Sequence, residues 1–122
     1  MKFQLKKRFT IESARFLPKL PKEHPCSRTH GHSFHITLTL EGTLDPQLGW
    51  LVDYHDIDLI IRPILQKIDH RLLNEVPGLE NPTTEILTAW IYTEVKRVLP
   101  ELTQVTLKET EDTECSYPVC EP

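Results

Sequence analysis

The chain has 122 residues, 39% of them hydrophobic, and a formal net charge of −4 at pH 7, which provides for one buried core and leaves no room for a second domain. The acidic balance argues against a phosphate-tracking nucleic-acid surface, no apolar run approaches the roughly 20 residues of a membrane span, and the first residues lack a signal peptide's apolar stretch. One cytoplasmic domain over residues 1–122 is therefore expected, with neither nucleic acid nor membrane as partner, and with its three cysteines as reduced thiols rather than a disulfide framework.

In KFQLKKRFTIESAR the apolar Phe3, Leu5, Phe9 and Ile11 fall on odd positions, the period of a strand with one buried face; without a bulge that face also receives Arg15. HGHSFHITLTLEG alternates too, with Phe34, Ile36, Leu38 and Leu40 on one face against Thr37 and Thr39, and His30 and His32 share the apolar parity. YHDIDLIIRPILQKID spaces Ile57, Ile60, Ile61, Ile64, Leu65 and Ile68 as a helix, with Asp53 or Asp56 available as N-cap and Pro63 expected to kink or interrupt it. NPTTEILTAWIYTEVKRVLP predicts a second helix with the stripe Ile86, Leu87, Trp90, Ile91, Val95 and Val98, capped by Asn81, with Pro82 in its first turn and Pro100 as its stop. LTQVTLKET is a third strand that puts Val105, Leu107 and Glu109 on one face, and a fourth strand is expected in the tail CSYPVCEP. This order predicts an α+β domain in which an antiparallel four-stranded sheet carries two helices on one face, and whose uncovered face and open edges invite oligomerisation.

Chemistry concentrates in HPCSRTHGHSFH, which holds His24, Cys26, His30, His32 and His35. Histidines at i and i+2 of a strand point the same way and can reach one cation at about 2.0 to 2.1 Å, although a bare His-x-His is weakly specific. Cys26 is open to reading as nucleophile, base, ligand or small apolar filler. Asp69-His70 offers a carboxylate beside an imidazole, an acid/base pair if the two side chains face each other. Glu109 is a carboxylate on an apolar face and must find a partner there; a ligand with amide-like N–H donors would suit it. Cys115 and Cys120, at Cys-x4-Cys spacing, are read as free thiols.

CSRTHGHSF, GWLVDYHDI, IDHRLLNEVPGLENPTTEIL and TLKET, in this order and spacing from Phe9 to about Tyr117, closely resemble the 6-pyruvoyltetrahydropterin synthase family. The three residues between Cys26 and His30, with GLENPTTEILTAWI, look most like its 6-carboxytetrahydropterin synthases of queuosine biosynthesis. The resemblance implies the tunnelling fold, in which sheets of several subunits join into a barrel, a hexamer or similar homo-oligomer, with active sites between subunits. It implies a lyase acting on 7,8-dihydroneopterin triphosphate and releasing 6-carboxy-5,6,7,8-tetrahydropterin, acetaldehyde and triphosphate. By the same resemblance His30 and His32 hold zinc, Cys26 moves protons at the side chain, and Asp69 with His70 from a neighbouring subunit forms a second acid/base unit. Glu109, assisted by Thr83 and Thr84, anchors the pterin.

One position departs from the family's pattern. Its third zinc ligand is a histidine in a segment like FEAAH, and the matching IESAR has Arg15 there, which has no lone pair to offer a cation. Three arrangements are compatible with this: a substitute ligand drawn from Cys26 or His24, a two-histidine site completed by water and substrate and tolerant of other divalent metals, or loss of the metal. Two other functions stay open: a sister enzyme making 6-pyruvoyltetrahydropterin or cleaving the side chain as an aldolase, and a non-catalytic pterin- or metal-binding protein.

Overall fold

The computed structural model describes residues 1–120; Glu121 and Pro122, at the end of the expected tail strand, lie outside the described residues. Strand β1 runs Phe3–Arg15 and β2 His30–Gly42; helices α1 (Tyr54–Gln66) and α2 (Thr84–Lys96) follow, then β3 (Leu102–Thr110) and β4 (Thr113–Tyr117). The sheet is antiparallel throughout, in the order β1-β2-β3-β4. Both helices belong to the single long connection from β2 to β3, and they pack on one sheet face.

The two long strands pair without a bulge from Phe3 opposite Gly42 to Arg15 opposite His30. Directly opposed residues share a face, so Ile11 lies with Phe34, Ser13 with His32 and Arg15 with His30. Ile11, Phe34, Ile36, Leu38, Leu40, Leu102, Val105 and Leu107 form the sheet side of the core, and Ile57, Ile61, Ile64, Leu87, Ile91 and Val95 the helix side. The opposite sheet face carries Thr10, Glu12, Ser33, His35, Thr37 and Thr106, the Thr-rich row that the alternation predicts.

Four local expectations need correction. Asn81 does not cap α2, and Pro82 precedes the helix: the cap is Thr83, whose hydroxyl accepts the Ile86 N–H at 3.2 Å. A threonine at this place satisfies one of the helix's orphan donors, and Pro82, having no N–H, leads into the cap. The buried stripe of α2 is also rotated, with Leu87, Thr88, Ile91 and Val95 inside while Ile86 and Val98 are exposed. Thr88 tolerates burial because its hydroxyl donates to the Thr84 carbonyl at 2.6 Å. In α1, capped by Asp53, the helix continues through the exposed Pro63 to Gln66, so the proline does not interrupt it. The fourth strand begins before the tail, at Thr113, and has ended by Tyr117.

Candidate active site

At one end of the sheet the core face changes from apolar to polar. Two residues past Ile11 and then two more bring Ser13 and Arg15; going backward from Phe34 brings His32 and His30; two residues past Leu107 comes Glu109. Strand parity thus delivers Arg15, His30, His32 and Glu109 to one place, beside the N-terminus of α2.

Arg15 is the centre of this cluster. It is 5% exposed, and its Nη2 donates to Glu109 Oε2 at 2.7 Å while Nη1 donates to the Pro82 carbonyl at 3.1 Å. Its guanidinium lies over the Phe34 ring, 5.4 Å from the centroid. The other carboxylate oxygen of Glu109 accepts the Thr84 hydroxyl at 2.7 Å. Glu109 therefore finds its partner inside the chain, and each oxygen keeps one lone pair for a further donor. The Thr83 hydroxyl oxygen accepts the Ile86 N–H as the cap of α2, and the hydroxyl that reaches Glu109 is that of Thr84.

His30 Nδ1 lies 2.7 Å from the Arg28 carbonyl. A carbonyl only accepts, so Nδ1 carries a proton, and in the neutral ring Nε2 holds the lone pair. That Nε2 is buried and without a partner, and so is Nε of Arg15, the residue opposite it in the ladder. His32 stands edge-on to His30 with centroids 4.8 Å apart. Burial pushes the His32 pKa below its usual 6.5; Glu109 opposes this, and the charges of Arg15 and His30 reinforce it.

Asp69 and His70 lie just past the end of α1, in a segment that runs along the outer edge of β1. The Glu12 N–H donates to Asp69 Oδ1 at 2.9 Å, the His70 N–H donates to the Glu12 carbonyl at 2.6 Å, and Leu72 bridges to Ala14. His70 has φ 55, in the left-handed region, and this turn brings its Nδ1 to 2.9 Å from Asp69 Oδ1. Two adjacent side chains that would face apart in a regular segment here form an oriented carboxylate–imidazole pair. His70 is 77% exposed and shares a cleft of about 560 Å³ with His32, Glu12, Ser33 and Arg71. It also borders a second hollow of about 990 Å³ against α2, and Cys26 lines neither.

Cys26 is half-buried in a short 3-10 turn, Pro25–Ser27. Its N–H donates to His24 Nδ1 at 3.1 Å, and its carbonyl accepts from the Leu17 N–H at 2.8 Å. His24 thus spends its Nδ1 lone pair as a turn cap. This bears on the expected zinc. Among the described residues no three His, Cys, Asp or Glu side chains gather to hold an ion. Neither His24 nor Cys26 completes the pair His30 and His32, and the place beside them holds a guanidinium. A catalytic zinc takes three protein ligands, and a dication beside a buried positive charge is further disfavoured. The donor set does not fit a zinc of that kind. The sequence pattern located Arg15, but its partnership with Glu109 carries no local signal.

A family model described as 6-pyruvoyl tetrahydropterin synthase matches residues 4–119. The chain is 33% identical to the 6-carboxy-5,6,7,8-tetrahydropterin synthase of Synechocystis sp., across 85% of this chain and 84% of that protein. It is 30% identical to the protein of the same name from Bacillus subtilis, across 94% and 84%. Among solved structures, the 6-pyruvoyl tetrahydropterin synthase of Caenorhabditis elegans superposes with a TM-score of 0.89 at 22% identity, covering 98% of this chain and 97% of that one.

Proposed function

The chain belongs to the 6-pyruvoyl tetrahydropterin synthase family, and from that premise we propose that it is a 6-carboxy-5,6,7,8-tetrahydropterin synthase of queuosine biosynthesis. In this reading it is a carbon-carbon and carbon-oxygen lyase that converts 7,8-dihydroneopterin triphosphate and one water to 6-carboxytetrahydropterin, acetaldehyde and triphosphate. The observation that carries it is the Asp69–His70 pair, 2.9 Å between Oδ1 and Nδ1, opening into the cleft that His32 also lines. Cleaving a polyhydroxylated side chain requires protons to leave and return at its carbons and oxygens, and an imidazole oriented by a carboxylate does this near neutral pH.

Each residue has a part in this reading. Glu109 receives the N–H groups of the pterin ring on its remaining lone pairs, with Thr84 and Arg15 fixing the carboxylate's plane. Thr83 supports this indirectly by starting the helix that places Thr84. His70 exchanges protons with the side chain, and Cys26 is the second proton-transfer group. Cys26 lines neither of the two hollows that His70 borders, which favours a homo-oligomer, hexameric or similar, with Cys26 of one subunit facing His70 of another. No step is routed through zinc, because the donor set stops at two imidazoles. No described helix is long and apolar enough to cross a membrane, in keeping with cytoplasmic work on a phosphorylated substrate. The test is incubation with 7,8-dihydroneopterin triphosphate and product analysis by mass spectrometry. Carboxytetrahydropterin with acetaldehyde supports the assignment; a 6-pyruvoyl product or a shortened side chain with an aldehyde other than acetaldehyde assigns a sister activity; binding without turnover leaves a pterin-binding protein.

A further inference from the structure

Two buried polar atoms of the cluster have no partner: Nε of Arg15, which can only donate, and Nε2 of His30, which can only accept while Nδ1 is held by the Arg28 carbonyl. They belong to residues directly opposite each other on the same face of the β1–β2 ladder. Leaving a buried donor and a buried acceptor unsatisfied is costly, so such a pair marks the place of a group that supplies both complements. An alcohol does so: its oxygen accepts from a guanidinium N–H, and its own hydrogen is donated to an imidazole nitrogen. A metal ion does not, because it repels the donor.

We infer that Arg15 and His30 form a metal-free subsite for one side-chain hydroxyl of the substrate, the guanidinium supplying the fixed positive charge that a divalent ion would otherwise supply. This rests on the pterin reading above and specifies how that site grips the side chain. The geometry suits the task. Arg15 is held by Glu109, Pro82 and the Phe34 ring, so its guanidinium is fixed before substrate arrives. The ring-binding carboxylate and the hydroxyl-binding cation are then two ends of one ion pair, which sets the spacing between pterin ring and side chain. Glu109 offsets part of the guanidinium charge, and so the hydroxyl is polarised less than on a dication.

The experiment uses the full chain and two ligands that differ only in the side chain, 7,8-dihydroneopterin and 7,8-dihydropterin, measured by calorimetry. His30→Phe removes the acceptor and keeps the Arg15–Glu109 pair; it should weaken dihydroneopterin about tenfold, the value of one hydrogen-bonded group, and leave dihydropterin unchanged. Elemental analysis of protein expressed with added zinc should find far less than one equivalent, with turnover unaffected by a chelator. Arg15→His should acquire a full equivalent. Equal losses for both ligands, or no loss for either, overturn the hydroxyl subsite while leaving the pterin site standing. One equivalent of zinc in the unmodified protein, with turnover lost on its removal, overturns the metal-free assignment. Failure of the unmodified protein to bind dihydropterin removes the pterin reading itself, and this subsite with it. Thermal unfolding of each variant confirms that the fold is kept.

Discussion

Arg15 and Glu109 are 94 residues apart in the chain and 2.7 Å apart in the fold, with only 6% and 12% of their side chains exposed. Removing one member of such a pair leaves the other charge buried and unpaired, which costs about 3 to 5 kcal/mol. Read from the sequence, Glu109→Gln would disturb only a ligand-facing carboxylate. In the structure it also strands the guanidinium, and the variant should unfold at a clearly lower denaturant concentration. Combining it with Arg15→Met should recover most of the loss, because a buried ion pair replaced as a unit costs little; no recovery would show that the pair is not the source.

His32 adds a pH dependence at the same scale. Its folded-state pKa lies below 6.5, first because of burial, with Arg15 and His30 reinforcing and Glu109 opposing. The unfolded chain therefore takes up this proton at a higher pH than the folded one. Stability from this site is full above about pH 6.5 and declines as pH falls from there through the folded-state pKa. His32→Asn should flatten the stability profile across that window, measured by denaturation at a series of pH values. A profile equally steep in both proteins assigns the titration to another group.

Among the elements, α2 connects fold to site. Its cap, Thr83, and its first residue, Thr84, divide two tasks that adjacent threonines in a sequence leave indistinguishable. Thr83→Ala should cost about 1 kcal/mol of stability, the usual worth of a cap, and Thr83→Ser or Thr83→Asn should restore it. Thr84→Ala should act on the orientation of Glu109, seen as weaker pterin binding with a smaller change in unfolding midpoint. The segment from Ile68 to Leu72 is equally two-sided. It extends the sheet edge by hydrogen bonds to Glu12 and Ala14, and its left-handed residue turns an imidazole toward its neighbouring carboxylate.

For the molecule as a whole, the outer edges of β4 and of the first half of β1 have no backbone partner among the described residues, and one sheet face stays uncovered. Lys6, Lys7 and Arg8 on β1 guard against indiscriminate edge pairing. If the sheets of several chains join, analytical ultracentrifugation should show a discrete oligomer. Mixing Cys26→Ala with His70→Ala protein should then restore part of the activity that each variant lacks. Absence of rescue after verified subunit exchange would mean that the two residues do not meet across an interface.

The legible part of this protein in its sequence was whatever depends on local period. Alternation in β1, β2 and β3 placed Arg15, His30, His32 and Glu109 on the core-facing side, since side-chain direction repeats every two residues whatever the strand packs against. The helices followed from spacing and stop signals, though the cap of α2 shifted to Thr83 because capping is decided by which oxygen reaches an orphan N–H in three dimensions. Only the tertiary structure decided the partners. That Arg15 answers Glu109, that Asp69 faces His70, and that the unsatisfied Arg15 Nε and His30 Nε2 belong to directly opposed residues all depend on strand register and on a left-handed turn. Such contacts join residues brought together by folding, and the desolvation that gives them their force exists only once the core has closed around them.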